Sequence, residues 1–393
     1  MTKKIVTQYM TVRILHACAT GMIASIYATY LGSHGLNLFE VNLVNCFYFL
    51  TLFITEIPTG AFADVFGRKT SYVLSCFISA TGFLLYAYAS SFWQFVTAEV
   101  VVGIGVTFAS GAFQAWLFDS LQHHGYDGDI KHVFAHAQIW PKVASMFAAY
   151  VGSQAAQYSM HLPFCMEGVV LCVEGTLVLF WLTEEYFQKQ PFSFKLGLHS
   201  MREMVEHTIT YGVKNTSIRF LLLVGILQTL CVQAPNMQWQ PFFRNQSLHV
   251  GLLGYVSVAI ACALMCGSYI AKHITVQPSQ EKRMLVLCQV MTGLCLVGAV
   301  YAPFPYSLVL FILHEIPRGM YVPIKDKFLH DNIPSHARAT VSSFESTAPH
   351  LGSIVGLLGS GYVADQYGIG HTWVCSGLVL ILFTLCIGYR TKA

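Results

Sequence analysis

Several ionisable side chains of this sequence lie inside long apolar stretches, where an isolated charge is costly to keep. Glu99 interrupts FVTAEVVVGIG, and Lys142 interrupts AQIWPKVASMF. Glu315 and Arg318 lie three residues apart in LHEIPRGMYVP, so the two side chains can pair on one helix face. A carboxyl in an apolar wall can take up and release a proton, and a buried cation can bind an anionic group. These groups are therefore candidates for binding protons or a charged solute.

Each of these groups has a structural alternative. Glu99 could form a structural pair or lie near the outer surface, and Lys142 could pair with Glu99 or Glu174. Arg318 could bind solute or pair with Glu315. The predicted proton-coupling residues are Glu99, Glu174, Glu315 and Glu345. Other ionisable groups in apolar stretches are Glu56, which could form a buried pair or act in gating, His350, which with Glu345 could join the polar lining, and Glu167.

The stretch QTLCVQAPNMQWQPFF supplies amide and aromatic groups. Amides can hydrogen-bond a polar organic solute without requiring a charge on it. Trp239 is equally typical of an anchor at the membrane interface. We predict that the cavity for a solute is lined by residues of this stretch and by basic groups elsewhere, namely Arg13, His16, Lys142, Gln228, Gln233, Asn236, Trp239, His314 and Arg318.

Signatures of other chemistries are missing from the sequence. His132 and His136 lie four residues apart and could share a metal on one helix face, but there is no HExxH motif and no cysteine nearby. The nucleotide-binding pattern GxxxxGK[ST] is absent, and no nucleophile–base signature is found. We expect no metal, no cofactor, no nucleic-acid partner and no enzymatic activity.

The composition shows what must position these groups. Of 393 residues, 55% are hydrophobic and 10% are charged, far below the ~25% charge of soluble domains. Apolar runs long enough to span a bilayer recur along the chain. We therefore predict an all-α integral membrane protein with twelve transmembrane helices, at 9–31, 36–62, 70–89, 92–120, 131–158, 162–183, 218–242, 249–272, 283–302, 305–328, 337–362 and 371–390.

The distribution of basic residues predicts the orientation. With the N-terminus inside, Arg244 is the one Lys or Arg that falls in an outside loop, and Lys142 and Arg318 fall within spans. The positive-inside rule then places both termini in the cytoplasm. The longest break divides the chain into an N-terminal six-helix bundle (1–183), a cytoplasmic linker with an amphipathic helix (184–217) and a C-terminal six-helix bundle (218–393).

The turn between spans 2 and 3 reads GAFADVFGRK. It resembles the signature loop of the major facilitator superfamily, G-x-x-x-D-x-x-G-R-K. The resemblance implies two pseudo-symmetric six-helix bundles and transport by alternating access. We expect Gly60 to allow a close helix approach and Gly67 to allow a tight turn. The matching residues are Gly60, Asp64, Gly67, Arg68 and Lys69.

The resemblance also implies a conformational latch. Asp119 is predicted to lie at the inner end of span 4, where it can join Asp64 and Arg68 in an Asp–Arg–Asp cluster. The alternative is a basic turn that only fixes the topology. Span 8 repeats span 2 but carries no corresponding acid, so any latch is confined to the N-terminal bundle.

These observations predict a secondary transporter of a small organic solute, monomeric, in a bacterial inner membrane. Export of a drug, metabolite or siderophore-like anion with proton coupling is favoured over proton-coupled import of an anionic metabolite or iron–siderophore. Glu99 replaces the arginine that proton-coupled exporters of the superfamily carry on span 4, and their motif on span 5 is missing, which counts against a standard antiporter. A membrane-embedded enzyme or a non-transporting sensor is the remote alternative.

Overall fold

A computed structural model describes residues 2–126, 128, 130–184, 186–187, 216–274, 277, 280–332 and 338–390. Inside a bilayer every backbone N–H and C=O group needs a partner, and a helix supplies the partners from its own residues. The apolar runs accordingly fold as helices. In chain order they are α1 (Thr2–Gly21), α2 (Tyr27–Ser33), α3 (Leu38–Phe66), α4 (Arg68–Tyr88), α5 (Phe92–Ala109), α6 (Ala112–His123), α7 (Ile130–Tyr158), α8 (Leu162–Trp181), α9 (Thr216–Asn245), α10 (Val250–His273), α11 (Glu281–Tyr301), α12 (Tyr306–Leu313), α13 (Glu315–Asn332), α14 (Arg338–Tyr367) and α15 (Ile369–Arg390).

Nine of the twelve predicted spans form single helices in the described residues, and spans 1, 4 and 10 are each broken into two. The break in span 4 contains Gly111 with φ of +69°, a left-handed conformation that favours glycine. The break in span 10 falls at His314. There Pro317, in the first turn of α13, has no N–H to donate to the carbonyl of Leu313. Local breakers within apolar runs therefore interrupt these spans without ending them.

Eight described helical stretches are long and apolar enough to cross a membrane by length and composition. The predicted all-α integral membrane fold is confirmed. The eight stretches are Leu38–Phe66, Arg68–Tyr88, Phe92–His123, Leu162–Trp181, Thr216–Asn245, Val250–His273, Glu281–Tyr301 and Ile369–Tyr389.

The helices form two compact units. The first contains α1, α2, α4 to α8, most of α3, and α10 up to Val258; the second contains α9, the rest of α10, and α11 to α15. Residues Leu36–Cys46 belong to the second unit, so its boundary differs from the predicted bundle boundary at this segment. The amphipathic helix predicted within 184–217 lies outside the described residues.

Aromatic side chains fill part of the core of each unit. In the first, the Phe113 ring stacks on Tyr9 at 4.9 Å and on Tyr72 at 4.3 Å between ring centres, which joins α1, α4 and α6. In the second, the Phe311 ring stacks on Trp373 at 5.2 Å and contacts Phe243 at 5.3 Å, which joins α9, α12 and α15. Burying large rings is a major source of packing energy, so these stacks hold the helices that carry the polar groups.

Small residues bring two helices of the second unit into close contact. A Cβ atom built at Gly267 on α10 lies 2.0 Å from the carbonyl oxygen of Ile316 on α13. A Cβ built at Gly319 on α13 lies equally close, at 2.0 Å, to the carbonyl oxygen of Leu264 on α10. Only glycine permits this approach, as is common between membrane helices. The contact fixes α13, which carries Glu315 and Arg318.

Candidate functional site

The turn between α3 and α4 carries the predicted latch residues. Gly67 occupies it with φ of +98°, as expected for a tight turn. Arg68 begins α4, and its guanidinium forms an ion pair with the carboxylate of Asp119 on α6. Asp64 is exposed and forms no ion pair with any residue that the structure describes. The structure brings Arg68 and Asp119 together and leaves Asp64 apart.

Glu184, just after α8, completes this turn and was not foreseen from the sequence. Its Oε1 accepts a hydrogen bond from the N–H of Arg68 at 2.9 Å, and its Oε2 accepts one from the N–H of Lys69 at 3.1 Å. These are the first two N–H groups of α4, which have no partner within the helix. A Cβ at Gly67 would lie 2.7 Å from Glu184 Oε2, so glycine is also needed for the carboxylate to reach the helix end.

The electrostatics of Glu184 reflect two opposing effects. Burial raises the pKa of its carboxyl above the ordinary value. The N–H groups and the positive charges of Arg68 and Lys69 favour the ionised form and partly oppose this rise. Nearby Tyr186 accepts a hydrogen bond from Ser120 at 3.1 Å, and burial raises its pKa to about 12. The chain after α8 is therefore tied to the helix ends beside the turn.

Gly60 and Glu56 lie differently from their predicted settings. A Cβ at Gly60 would meet no described atom within 4 Å. The expectation that Gly60 permits a close helix contact is therefore wrong among the described residues, because none of them packs against its face of α3. Glu56, suggested from the sequence to be a buried pair or a gating group, is exposed and accepts a hydrogen bond of 2.6 Å from Ser110 at the break in span 4.

A buried carboxyl of the first unit meets groups from two other helices. Glu174 on α8 is fully buried. The hydroxyl of Tyr72 on α4 donates to it at 2.6 Å, and Nδ1 of His16 on α1 lies 3.3 Å away. The His16 side chain is 32% exposed. This pair therefore connects a buried carboxyl to a partly exposed imidazole.

Arg13 lies one helical turn before His16 on α1. Its Nε is buried and has no hydrogen-bond partner. Among the described residues no carboxylate lies within ion-pair distance of its guanidinium. Buried cations are normally paired, so this guanidinium can accept an anionic partner.

Glu99 and Lys142, which the sequence offered as possible partners, are not paired. Glu99 on α5 is buried, and it accepts a hydrogen bond from the hydroxyl of Tyr86 on α4. Lys142 is exposed on α7 and forms no ion pair with a described residue. Glu174 is likewise engaged elsewhere, so both suggested pairings of Lys142 are wrong. The two carboxyls are turned into the core of the first unit, where a side chain exposed on α7 does not reach them.

Four predicted residues of the second unit form one polar cluster. NH1 of Arg318 lies 2.5 Å from Oε1 of Glu315 and donates to Oδ1 of Asn236 on α9 at 3.3 Å. Nε2 of His314 lies 3.4 Å from the same Glu315 oxygen. His314 and Glu315 are buried, whereas the Arg318 side chain is 18% exposed. The break in span 10 places His314 and Glu315 where both can face this cluster.

The family model described as Major Facilitator Superfamily matches residues 9–278 and 279–392 of the chain. The chain belongs to the major facilitator superfamily. It is 20% identical to the MFS-type transporter YxaM of Bacillus subtilis, over 94% of this chain and 91% of the relative. It is 24% identical to the multidrug resistance protein MdtG of Enterobacter lignolyticus, over 92% of this chain and 84% of that one. A point variant of the nucleoside transporter NupG has the same fold, with a TM-score of 0.80, 15% identity and 99% coverage of both chains.

Membership of the major facilitator superfamily makes the chain a multi-pass membrane transporter for a small molecule. The superfamily fold implied by the GAFADVFGRK turn is confirmed. At these identities the solved structures establish the fold alone. The choice of solute therefore depends on the side chains of this superfamily member.

The amide-rich stretch on α9 of this superfamily member is only partly open. Gln233 is buried and donates to Ser353 at 2.9 Å, and Trp239 is buried against Phe311 with ring centres 6.3 Å apart. The expectation of an open wall is wrong at these two positions, because they lie on the face of α9 that packs into the core of the second unit. Gln228 is half-buried and Asn236 is exposed.

The remaining predicted residues lie among side chains that the structure does not describe. Glu345 and His350 belong to α14, and His132 belongs to α7. Their backbone positions are known, and their proposed roles stay predictions. Sequence reasoning missed Tyr72 and Tyr86, whose hydroxyls donate to Glu174 and Glu99. Both tyrosines lie in the apolar run of α4. The sequence alone did not show which helices pack against α4, so it could not match each tyrosine to its glutamate.

Proposed function

We propose that this transporter couples protons to the movement of a small organic solute with an anionic or zwitterionic group, with export as the favoured direction. The observation that carries the proposal is the position of Arg13 on α1, one turn from His16 and without a carboxylate partner among the described residues. His16 in turn contacts the buried carboxyl of Glu174. A cation for the solute and a proton-binding pair are thus neighbours.

The proximity of these groups supplies a coupling mechanism. A proton bound at the His16–Glu174 pair changes the charge beside Arg13. The binding free energy of an anion at Arg13 changes as a result. Conversely, an anion bound at Arg13 alters proton affinity at the pair, because coupling between two sites is reciprocal. Alternating access then moves both ligands in linked steps.

The second unit offers a polar contact of its own. Arg318 is paired with Glu315 and also reaches the exposed amide of Asn236. Neutralising Glu315 with a proton weakens the pair and leaves Arg318 available to a negative group. We therefore propose Glu315 as a further coupling residue and Asn236 with Arg318 as solute contacts.

The test is flux in liposomes with an imposed pH gradient and a panel of anionic, zwitterionic and neutral solutes. We expect gradient-driven movement of an anionic or zwitterionic solute. Arg13→Gln should weaken its binding, and Glu174→Gln should abolish gradient-driven accumulation but spare solute exchange. Arg219→Gln, at an exposed arginine of α9, and Asp365→Asn, at an exposed acid of α14, are the matched controls.

Two results would contradict the proposal. If the flux of every transported solute is independent of the pH gradient, the transporter is not coupled to protons. An Arg13→Gln variant that binds and moves the anionic solute like the unaltered protein would remove Arg13 from solute recognition. Both need folded protein, which thermal unfolding can verify for each variant.

Import of an anionic metabolite or iron–siderophore is the second candidate. It is favoured by the unpartnered Arg13 and by Glu99, which stands where the proton-coupled exporters carry arginine. Reversing the imposed gradient distinguishes the two directions. We place the protein as a monomer in a bacterial inner membrane with both termini in the cytoplasm. Protease protection of terminal tags in oriented vesicles tests that placement.

A further inference from the structure

A second buried carboxyl group lies near Glu99 in the first unit. Glu167 on α8 has no exposed surface, and neither of its carboxyl oxygens has a hydrogen-bond partner among the described residues. Tyr86, which donates to Glu99, stacks on Phe164 of α8 with ring centres 5.5 Å apart, and Phe164 lies one helical turn before Glu167. No part of the proposed coupling through His16 and Glu174 uses these two residues.

A chain of hydroxyl groups leads to Glu99. The Tyr86 hydroxyl donates to the Glu99 carboxylate. The Tyr27 hydroxyl on α2 lies 3.1 Å from that of Tyr86, and the two rings meet edge to face. Tyr86 is fully buried, whereas Tyr27 is partly exposed. The chain therefore connects a partly open position to a buried carboxyl.

The groups that surround this pair supply no positive charge to it. Among the described residues no Lys, Arg or His lies within ion-pair distance of Glu99 or Glu167. Nδ1 of His161 instead lies 2.6 Å from the carbonyl oxygen of Ala87. Other titratable groups on the packed helices are Tyr30 on α2, whose hydroxyl donates to the carbonyl oxygen of Tyr86 at 2.9 Å, Cys165 on α8, and Tyr48 on α3.

We propose that Glu99 and Glu167 form a proton-binding site that is loaded along Tyr27 and Tyr86. The site deepens the proton coupling of the proposed function and rests on it. Two ionised carboxylates cannot share an enclosed, cation-free space at acceptable cost, so the pair holds at least one proton. Without a hydrogen-bond donor to its oxygens, Glu167 costs far less to bury as a neutral carboxyl than as a carboxylate.

The proton reaches Glu99 by a relay along the two tyrosine hydroxyls. A proton from water binds the Tyr27 oxygen as the Tyr27 O–H proton passes to the Tyr86 oxygen. The Tyr86 O–H proton passes at the same time to the Glu99 carboxylate. Each tyrosine ends neutral with one proton, and the site gains one. Rotation of the two hydroxyls restores the starting arrangement.

The site is tested by infrared difference spectroscopy of the full-length protein titrated with acid, without solute or gradient. The unaltered protein should show the carbonyl stretch of a protonated, desolvated carboxyl. Glu167→Gln should reduce this band to the part that Glu99 contributes and lower the protons bound per protein by one, whereas exposed Asp365→Asn should keep the full band. An unchanged band and proton count in Glu167→Gln would overturn the site.

This readout separates the site from the proposed function. If the infrared band depends on Glu167 but solute flux does not depend on the pH gradient, the proposed proton coupling is wrong and the proton-binding site is still supported.

The relay is tested by the rate of proton uptake after a pH jump. Tyr86→Phe should slow uptake about 100-fold, the loss of a positioned proton-transfer group, without changing its extent. Exposed Tyr88→Phe is the control, and Tyr27→Phe repeats the test if Tyr86→Phe does not fold. An unchanged rate would overturn the relay.

Discussion

The carboxylate of Glu184 accepts a hydrogen bond of 2.9 Å from the backbone N–H of Arg68, the first residue of α4. The same arginine uses its guanidinium to bind Asp119. Arg68 is therefore held at its backbone by the chain after α8 and at its side chain by α6. Any movement of the signature turn must change both contacts or move all three elements together.

Removing the Glu184 carboxylate should destabilise the first unit. Glu184→Ala leaves the N–H groups of Arg68 and Lys69 without this acceptor, and it removes a negative charge from the positive end of the helix dipole. We expect the free energy of unfolding to fall by about 1 kcal/mol, as for the loss of other helix caps. Denaturant unfolding in detergent measures it. Asp64→Asn, at an exposed acid of the same turn, should change it by less than about 0.5 kcal/mol; equal effects would contradict the capping role.

The raised pKa of Glu184 predicts a second, opposing effect, in which protonation of the carboxyl stabilises the folded state. The folded state holds the Glu184 proton more tightly than the unfolded state does. Its contribution to stability is therefore fully present below the unfolded carboxyl pKa of about 4.3 and is lost as pH rises through the raised folded pKa. The melting temperature of the unaltered protein minus that of Glu184→Gln should fall across this window. A difference that stays flat or rises would show that the N–H groups and basic charges outweigh burial.

Two glycines of the signature should respond oppositely to alanine. Gly67 has φ of +98°, and its added Cβ would meet Glu184, so Gly67→Ala should cost about 1–2 kcal/mol or more. Gly60 lies within α3 with open space around it, so Gly60→Ala should stabilise the helix by about 0.5–1 kcal/mol. Unfolding of both variants in one detergent measures the difference. A destabilised Gly60→Ala would reveal a packing contact that forms in another conformation of the transporter.

Apolar length was enough to predict the spans, because a bilayer demands helices of about twenty residues wherever such runs occur. The signature turn could be predicted from the sequence because its glycine and charges act over a few residues. The capping role of Glu184 could not be predicted, because its partners lie more than a hundred residues away in the chain and no neighbouring residue marks it as a helix cap. The prediction that Trp239 lines a cavity was wrong for the same reason. Its type suited a cavity wall and an interface equally, and only the packing of α9 against Phe311 decided that it is buried.

Arg318 and Glu315 should be strongly coupled. Arg318→Gln leaves the Glu315 carboxylate buried beside His314 without its cation, and breaking a buried pair in this way costs about 3–5 kcal/mol. Adding Glu315→Gln removes the uncompensated charge, so the double variant should recover part of that loss. A double-mutant cycle on unfolding should give a coupling energy of about 1–3 kcal/mol.

The pair of Lys327 and Asp331, 3.4 Å apart on the same helix, is the control for this cycle. Lys327 also binds Glu281, but that contact is lost whether or not Asp331 is changed, so it cancels in the cycle. Water screens exposed pairs, so this coupling should be smaller than that of Arg318 with Glu315. If both cycles give the same small value, Glu315 is already neutral in the folded protein. Arg318 would then be available to a solute without a prior proton-binding step, and coupling in the second unit would have to begin elsewhere.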